Sequence, residues 1–128
     1  MSTHVRGLTF DTGALIAIDR NSSRMNRVLA TVRRERLIIT VPNVVLAEWW
    51  RAGFGKAKEL LLRSFLIEPL SDRLAKVAGE AAGAVGATAV DAIVMASAAS
   101  RGDYVYTSDM PDLQRLQRVF PVVRLFQA

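Results

Sequence analysis

Asp11, Glu48, Asp91 and Asp109 are the residues of this chain that solvation explains least well. Asp11 follows the apolar stretch Leu-Thr-Phe, Glu48 sits inside VVLAEWW, Asp91 inside TAVDAIVMASAA, and Asp109 follows YVYTS. Carboxylates are rarely buried without a partner. The chain has 12 acids, and most of the others lie beside Arg, Lys or turn residues, where water accounts for them. If the four gather at one place, their like charges oppose one another unless they are protonated or neutralised. A hard divalent cation resolves that conflict, and an oxygen-only donor set without His or Cys favours magnesium or manganese over zinc.

Each acid also has a plainer reading. Asp11 or Thr12 can N-cap a first helix, and Asp109 or Ser108 can cap the helix that carries Pro111. Thr88 to Asp91 fits a capping-box-like helix start, with Asp91 also favoured by the positive end of the helix dipole. Glu48 has the weakest alternative, because between Ala47 and Trp49 it has no local cap to make.

Whether the four meet depends on the elements that carry them. Apolar and β-branched runs at Gly7 to Phe10, Leu37 to Val41, Phe65 to Pro69, Asp103 to Thr107 and Val122 to Phe126 read as strands. Helices are expected from Thr12 to Ile18, Arg24 to Arg34, Val44 to Arg51, Lys56 to Arg63, Ser71 to Ala84, Thr88 to Arg101 and Asp109 to Arg118. The run at Leu37 is almost wholly apolar, as for a strand covered on both faces. Strands alternating with helices or helix pairs argue for a parallel sheet with helices on both faces. If the strand order is 3-2-1-4-5, strands one and four are neighbours. Asp11 and Asp109 then face each other at the carboxyl edge, where open α/β sheets bind ligands. Glu48 and Asp91 reach the same edge from helices that start near it.

Composition narrows the field. At 128 residues, 51% hydrophobic and with a mean hydropathy of +0.21, the chain reads as one globular α/β domain over residues 1–128. No apolar run approaches the roughly 18 residues of a membrane span, and the first residues lack the apolar segment of a secretory signal. No cysteine is present, which removes disulfides, thiolate metal sites and a cysteine nucleophile. A cytoplasmic location is expected. The net charge is +5, and fourteen of the 17 basic residues are Arg. They concentrate at Arg20, Arg24, Arg27, Arg33, Arg34 and Arg36, with Arg51 and Arg63 further on. That stretch is either a solvated helix face or a surface for phosphates, which guanidinium groups bind through two oxygens at once. The single histidine, His4, lies outside every motif and reads as a solvated terminal residue.

The segments LTFDTGALIAI, VVLAEWW, AVDAIVMASAA and YVYTSDMPDL, in that order, resemble the four acidic motifs of the PIN domain, and within it the VapC-type ribonuclease toxins of bacterial toxin–antitoxin pairs. The resemblance runs from Leu8 to Phe126. It implies a three-layer α/β/α sandwich around a mainly parallel sheet of four to five strands, Mg²⁺- or Mn²⁺-dependent cleavage of RNA, and inhibition by a VapB-type antitoxin. Carried over by position, it makes Asp11, Glu48, Asp91 and Asp109 the catalytic and metal-binding acids, with Glu48 direct or through water. Thr12, Thr107 and Asp112 become outer-shell candidates, although Asp112 reads slightly better as a first-turn helix acid. Arg24, Arg27, Arg33 and Arg34 become candidates for RNA backbone contacts. Trp49 and Trp50 diverge by about 100° on a helix, so at most one faces the core fully. The other either belongs to an antitoxin groove or dimer interface or is simply half-buried. A homodimer or a toxin–antitoxin hetero-oligomer is implied, without a membrane partner. The segment Gly79 to Thr88 departs from the family pattern in being short and rich in Ala and Gly.

Other chemistries fit less well. A haloacid-dehalogenase-like phosphatase wants a second Asp two positions after the first, where Gly13 stands. A receiver domain wants an Asp at the end of the third strand, which here ends in Pro69 and Leu70. A noncatalytic RNA- or partner-binding domain of the same fold is the main alternative.

Overall fold

The computed structural model describes residues 7–128, so His4 lies outside the described residues. Strands β1 (Leu8–Phe10), β2 (Ile39–Pro42), β3 (Phe65–Glu68), β4 (Tyr104–Thr107) and β5 (Arg124–Gln127) form one sheet in the order β3-β2-β1-β4-β5. All four pairings are parallel. The connecting helices are α1 (Thr12–Asp19), α2 (Ser23–Glu35), α3 (Asn43–Arg51), α4 (Lys56–Leu62), α5 (Asp72–Val85), α6 (Ala89–Arg101) and α7 (Met110–Leu116). This is the strand order the acids required, and it puts the reversal of chain direction across the sheet between β1 and β4.

Right-handed crossovers place helices on one face while the chain winds from β1 to β3 and on the other as it returns through β4 to β5. On the first face, Trp49 of α3 packs its ring 6.5 Å from that of Phe65, and Phe10 lies 6.0 Å from both Phe65 and Tyr106. On the second face, α6 is buried from Ala92 through Ala98. It lies across β1, β2 and β4 and is covered in turn by α5 and α7. The alanines of α5 and α6 explain this closeness, since Ala78 and Ala81 of α5 are themselves buried. No single helix among the described residues is long and apolar enough to cross a membrane.

Two strands begin later than their apolar runs suggest. Arg36 ends α2 in a left-handed conformation at φ 56°, and the N–H groups of Arg36 and Leu37 both donate to the carbonyl of Val32. That closing turn consumes Leu37 and leaves Ile38 62% exposed, so β2 starts at Ile39 instead of being covered on both faces from Leu37. Likewise Val123 donates its N–H to Phe120, a turn that delays β5 to Arg124 and leaves Val122 in water.

Candidate active site

The carboxyl edge of β1 and β4 opens into a cavity of about 620 Å³. Asp11, Glu48, Asp91, Asp109 and Asp112 all line it, together with Thr12, Ser108 and Arg51. Chain segments far apart in sequence supply them: the β1–α1 junction, α3, the first turn of α6, and the β4–α7 junction.

Asp11 is the most constrained of these. It caps α1, its Oδ1 accepting the Ala14 N–H at 2.8 Å, while the Thr107 hydroxyl donates to its Oδ2. The same hydroxyl oxygen accepts the backbone N–H of Asp109 at 2.8 Å. Thr107, fully buried at the end of β4, therefore fixes Asp11 and the backbone of Asp109 together. Thr12 performs the matching task for Glu48, donating its hydroxyl to Oε1 at 2.7 Å. Gly13 permits the approach of α1 to the β4–α7 junction, because a Cβ there would lie 1.8 Å from the Ser108 Oγ.

The capping readings are met unevenly. Asp11 makes its cap bond. The backbone N–H of Asp91 donates to the Thr88 hydroxyl at 3.1 Å, which starts α6 and leaves the Asp91 carboxylate at the cavity. Asp109 occupies the N-cap position of α7 without any side-chain cap bond. Asp91, Asp109 and Asp112 each bring one carboxylate oxygen to within 4.8 Å of the others. Asp112 is thus both a first-turn acid of α7 and part of the tightest acidic group, an outcome the three-residue spacing from Asp109 allows on a helix.

The electrostatics match the crowding. Burial pushes the Asp11 carboxyl up from 3.8 to about 6, against the Thr107 and Ala14 hydrogen bonds that favour the anion, with the charges of Asp91 and Asp109 adding to the rise. Asp91 is raised by burial first and then by the charges of Asp112 and Glu48. Asp109 is raised by burial and then by its contact with Asp112. Arg115, ion-paired to Asp112 one turn along α7, partly opposes both effects. Oxygen donors packed closely enough to raise one another's pKa, with few hydrogen-bond donors of the protein's own, fit a hard divalent cation.

Arg24, Arg27, Arg33 and Arg34 all project from α2, and none of them lines the acidic cavity. The arginine that does is Arg51, one helical turn beyond Glu48 on α3 and legible only from that spacing. Trp49 is fully buried and donates its indole N–H to Asp19 at 2.7 Å. Trp50 is half-buried and stacks at 12° on Phe54, which is 79% exposed.

A five-stranded parallel sheet between helical layers, with a set of acids over its switch point, defines a PIN-like α/β/α domain. Neither a family model nor a curated protein matches the chain. Solved structures do match. VapBC2 from Rickettsia felis, bound to a DNA fragment from its promoter, superposes with a TM-score of 0.74 at 16% identity over 94% of this chain and 98% of the other. DNA-bound VapBC from Salmonella typhimurium gives 0.74 at 14% identity, covering 95% and 98%. A toxin–antitoxin complex from Klebsiella pneumoniae gives 0.71 at 18% identity, covering 91% and 95%. The chain thus shares the fold of these structures, a PIN-like α/β/α sandwich, as the motif resemblance implied.

Proposed function

We propose that the chain is the toxin of a type II toxin–antitoxin pair, an endoribonuclease that hydrolyses RNA phosphodiester bonds at the acidic cavity with Mg²⁺ or Mn²⁺. The observation that carries this reading is the convergence of Asp91, Asp109 and Asp112 within 4.8 Å, beside a buried Asp11 whose proton affinity is raised. Asp91, Asp109 and Asp112 would hold the ion, with Asp11 and Glu48 at its border. An ion bound there would supply the charge that neutralises these carboxylates and a water of lowered pKa as the nucleophile for phosphate. The protein's own part is positioning. Thr107 and the α1 N-terminus orient Asp11, Thr12 orients Glu48, and Arg51 supplies a positive charge for the scissile phosphate at the cavity wall. Because water and not the RNA 2′-hydroxyl attacks, the products carry 5′-phosphate and 3′-hydroxyl ends.

The partner assignment is supported by the likeness to the toxin–antitoxin complex from Klebsiella pneumoniae. The Trp50–Phe54 stack is the apolar surface proposed to receive a VapB-type antitoxin, in a homodimer or hetero-oligomer acting in the cytoplasm. Cleavage of RNA by the purified protein with Mn²⁺, with EDTA, and as the Asp91→Asn variant tests the enzymatic reading. Turnover that EDTA abolishes and Asp91→Asn lowers by about 1,000-fold, roughly 4 kcal/mol in the barrier, is expected. Undiminished cleavage by the variant would overturn the site, and metal binding without turnover on any RNA would favour the noncatalytic domain.

A further inference from the structure

The face of β4 and β5 that looks toward α2 carries an aromatic strip. Tyr104 and Tyr106 alternate away from buried Val105 and Thr107, and their register partners are Arg124 and Phe126. The Phe126 ring stacks on Tyr106 at 5.4 Å and 24°, and lies 5.2 Å from Tyr104. In a closed core such rings would be covered, yet Phe126 is 37% exposed. Helix α2 forms the opposite wall. Arg24, Arg27 and Thr31 lie along one stripe of it, and with Tyr106, Phe126 and Gln127 they line a cleft of about 480 Å³, within the size range of small-ligand sites. Among the described residues neither the Arg24 nor the Arg27 guanidinium has an acidic partner.

The position of this cleft relative to the acids is informative. Tyr106 directly precedes Thr107, which holds Asp11 and Asp109, and Gln127 pairs with Thr107 in register. The two cavities thus lie on either side of one strand end. Unpaired guanidinium groups beside open ring faces are the combination that binds single-stranded nucleic acid, the cations taking phosphate and the rings taking a base. A base in a duplex is stacked on both sides and has no free face to offer.

We propose that this cleft is a subsite for one nucleotide of single-stranded RNA, its base against the Phe126–Tyr106 strip and its phosphates on Arg24 and Arg27. The inference rests on the RNA-hydrolysis reading and adds the form of RNA selected. The strand crosses the carboxyl edge of β4, with the scissile bond at the acids and a neighbouring nucleotide anchored in the cleft.

The test compares cleavage of an unstructured labelled RNA in Mn²⁺ by the wild type, Phe126→Ala and the Arg24→Gln/Arg27→Gln double variant. Each variant is expected to raise KM about tenfold, within the worth of one stacked base or a few phosphate contacts, with kcat within about twofold. The double variant should also flatten the plot of log KM against log salt by about 1.4, at about 0.7 per lost phosphate contact. If Phe126→Ala does not fold, the double variant decides. Cleavage by the wild type with unchanged KM in the variants overturns the subsite and leaves RNA hydrolysis standing. Should the wild type cleave nothing, the hydrolysis reading fails, and anisotropy of the same RNA in EDTA decides the cleft, with equal affinity for all three proteins overturning it. Dissociation of an oligomer in the variants with KM unchanged would make the face a contact between copies, and also overturns the proposal.

Discussion

Two groups of carboxylates lie on this sheet, and they are neutralised in different ways. Asp103, at the start of β4, is only 4% exposed, more buried than Asp11 at 7%. Its Oδ2 accepts from Arg101 Nε at 2.9 Å and from the Thr9 hydroxyl at 2.8 Å. The same guanidinium reaches Glu68 at 2.9 Å, Thr9 at 2.9 Å and the Ser97 hydroxyl at 2.8 Å. One arginine thus binds two acids and two hydroxyls, drawing together β1, β3, β4 and α6. At the carboxyl edge, by contrast, Asp11, Asp91, Asp109 and Asp112 meet with, among the described residues, only Arg115 ion-paired to them, on Asp112. Burial of an acid therefore does not by itself mark a functional site. The missing counter-charge does, because it leaves a place that an ion from solution can fill.

Breaking the first group should have the larger effect on folding. Replacing Arg101 with Met leaves Asp103 and Glu68 close together without their cation, and removing one partner of a buried ion pair costs about 3 kcal/mol or more. Urea denaturation in EDTA would read that loss directly. Asp91→Asn, measured in the same way, should leave stability unchanged or raise it, because it removes a charge that its neighbours oppose. Equal losses in the two variants would erase the distinction between the groups.

Acid titration separates the two groups as well. The folded-state pKa of Asp11 is about 6, above the 3.8 of an unperturbed carboxyl, so its proton is held more tightly in the folded protein than in the unfolded chain. The stabilisation from that proton is full below pH 3.8 and is lost as pH rises through about 6. Without metal, Asp11→Asn should therefore gain stability relative to the wild type between pH 4 and pH 7, by about 3 kcal/mol at about 1.4 kcal/mol per pKa unit. A difference that stays flat across this window would mean that Asp11 is ionised without cost.

The sequence shows these two groups unequally. Strand order and the meeting of Asp11 with Asp109 were readable because alternating strands and helices leave few topologies, and both acids stand at strand ends. The burial of Asp103 was not readable. Arg101 two residues earlier makes it look like an ordinary solvated acid, and the residues that enclose it, Thr9 and Glu68, come from other strands. The late start of β2 was hidden for a related reason, since a left-handed helix end at an arginine carries none of the glycine signal that marks such ends. Asp112 was visible but ambiguous, because a first-turn helix acid and a ligand three residues from Asp109 have the same sequence appearance.

We propose that a divalent cation supplies the counter-charge the protein omits at its carboxyl edge. Thermal unfolding at pH 7.5 with and without saturating Mn²⁺, for the wild type and for Asp109→Asn, tests it most directly. A ligand at about 100 times its Kd stabilises the folded state by about 2.7 kcal/mol, so the wild-type Tm should rise by several degrees with the ion and return to its starting value in EDTA. Asp109→Asn should show little or no rise. The same Mn²⁺ response in both proteins, or none in the wild type, would rule out a cation held by Asp109 at this edge.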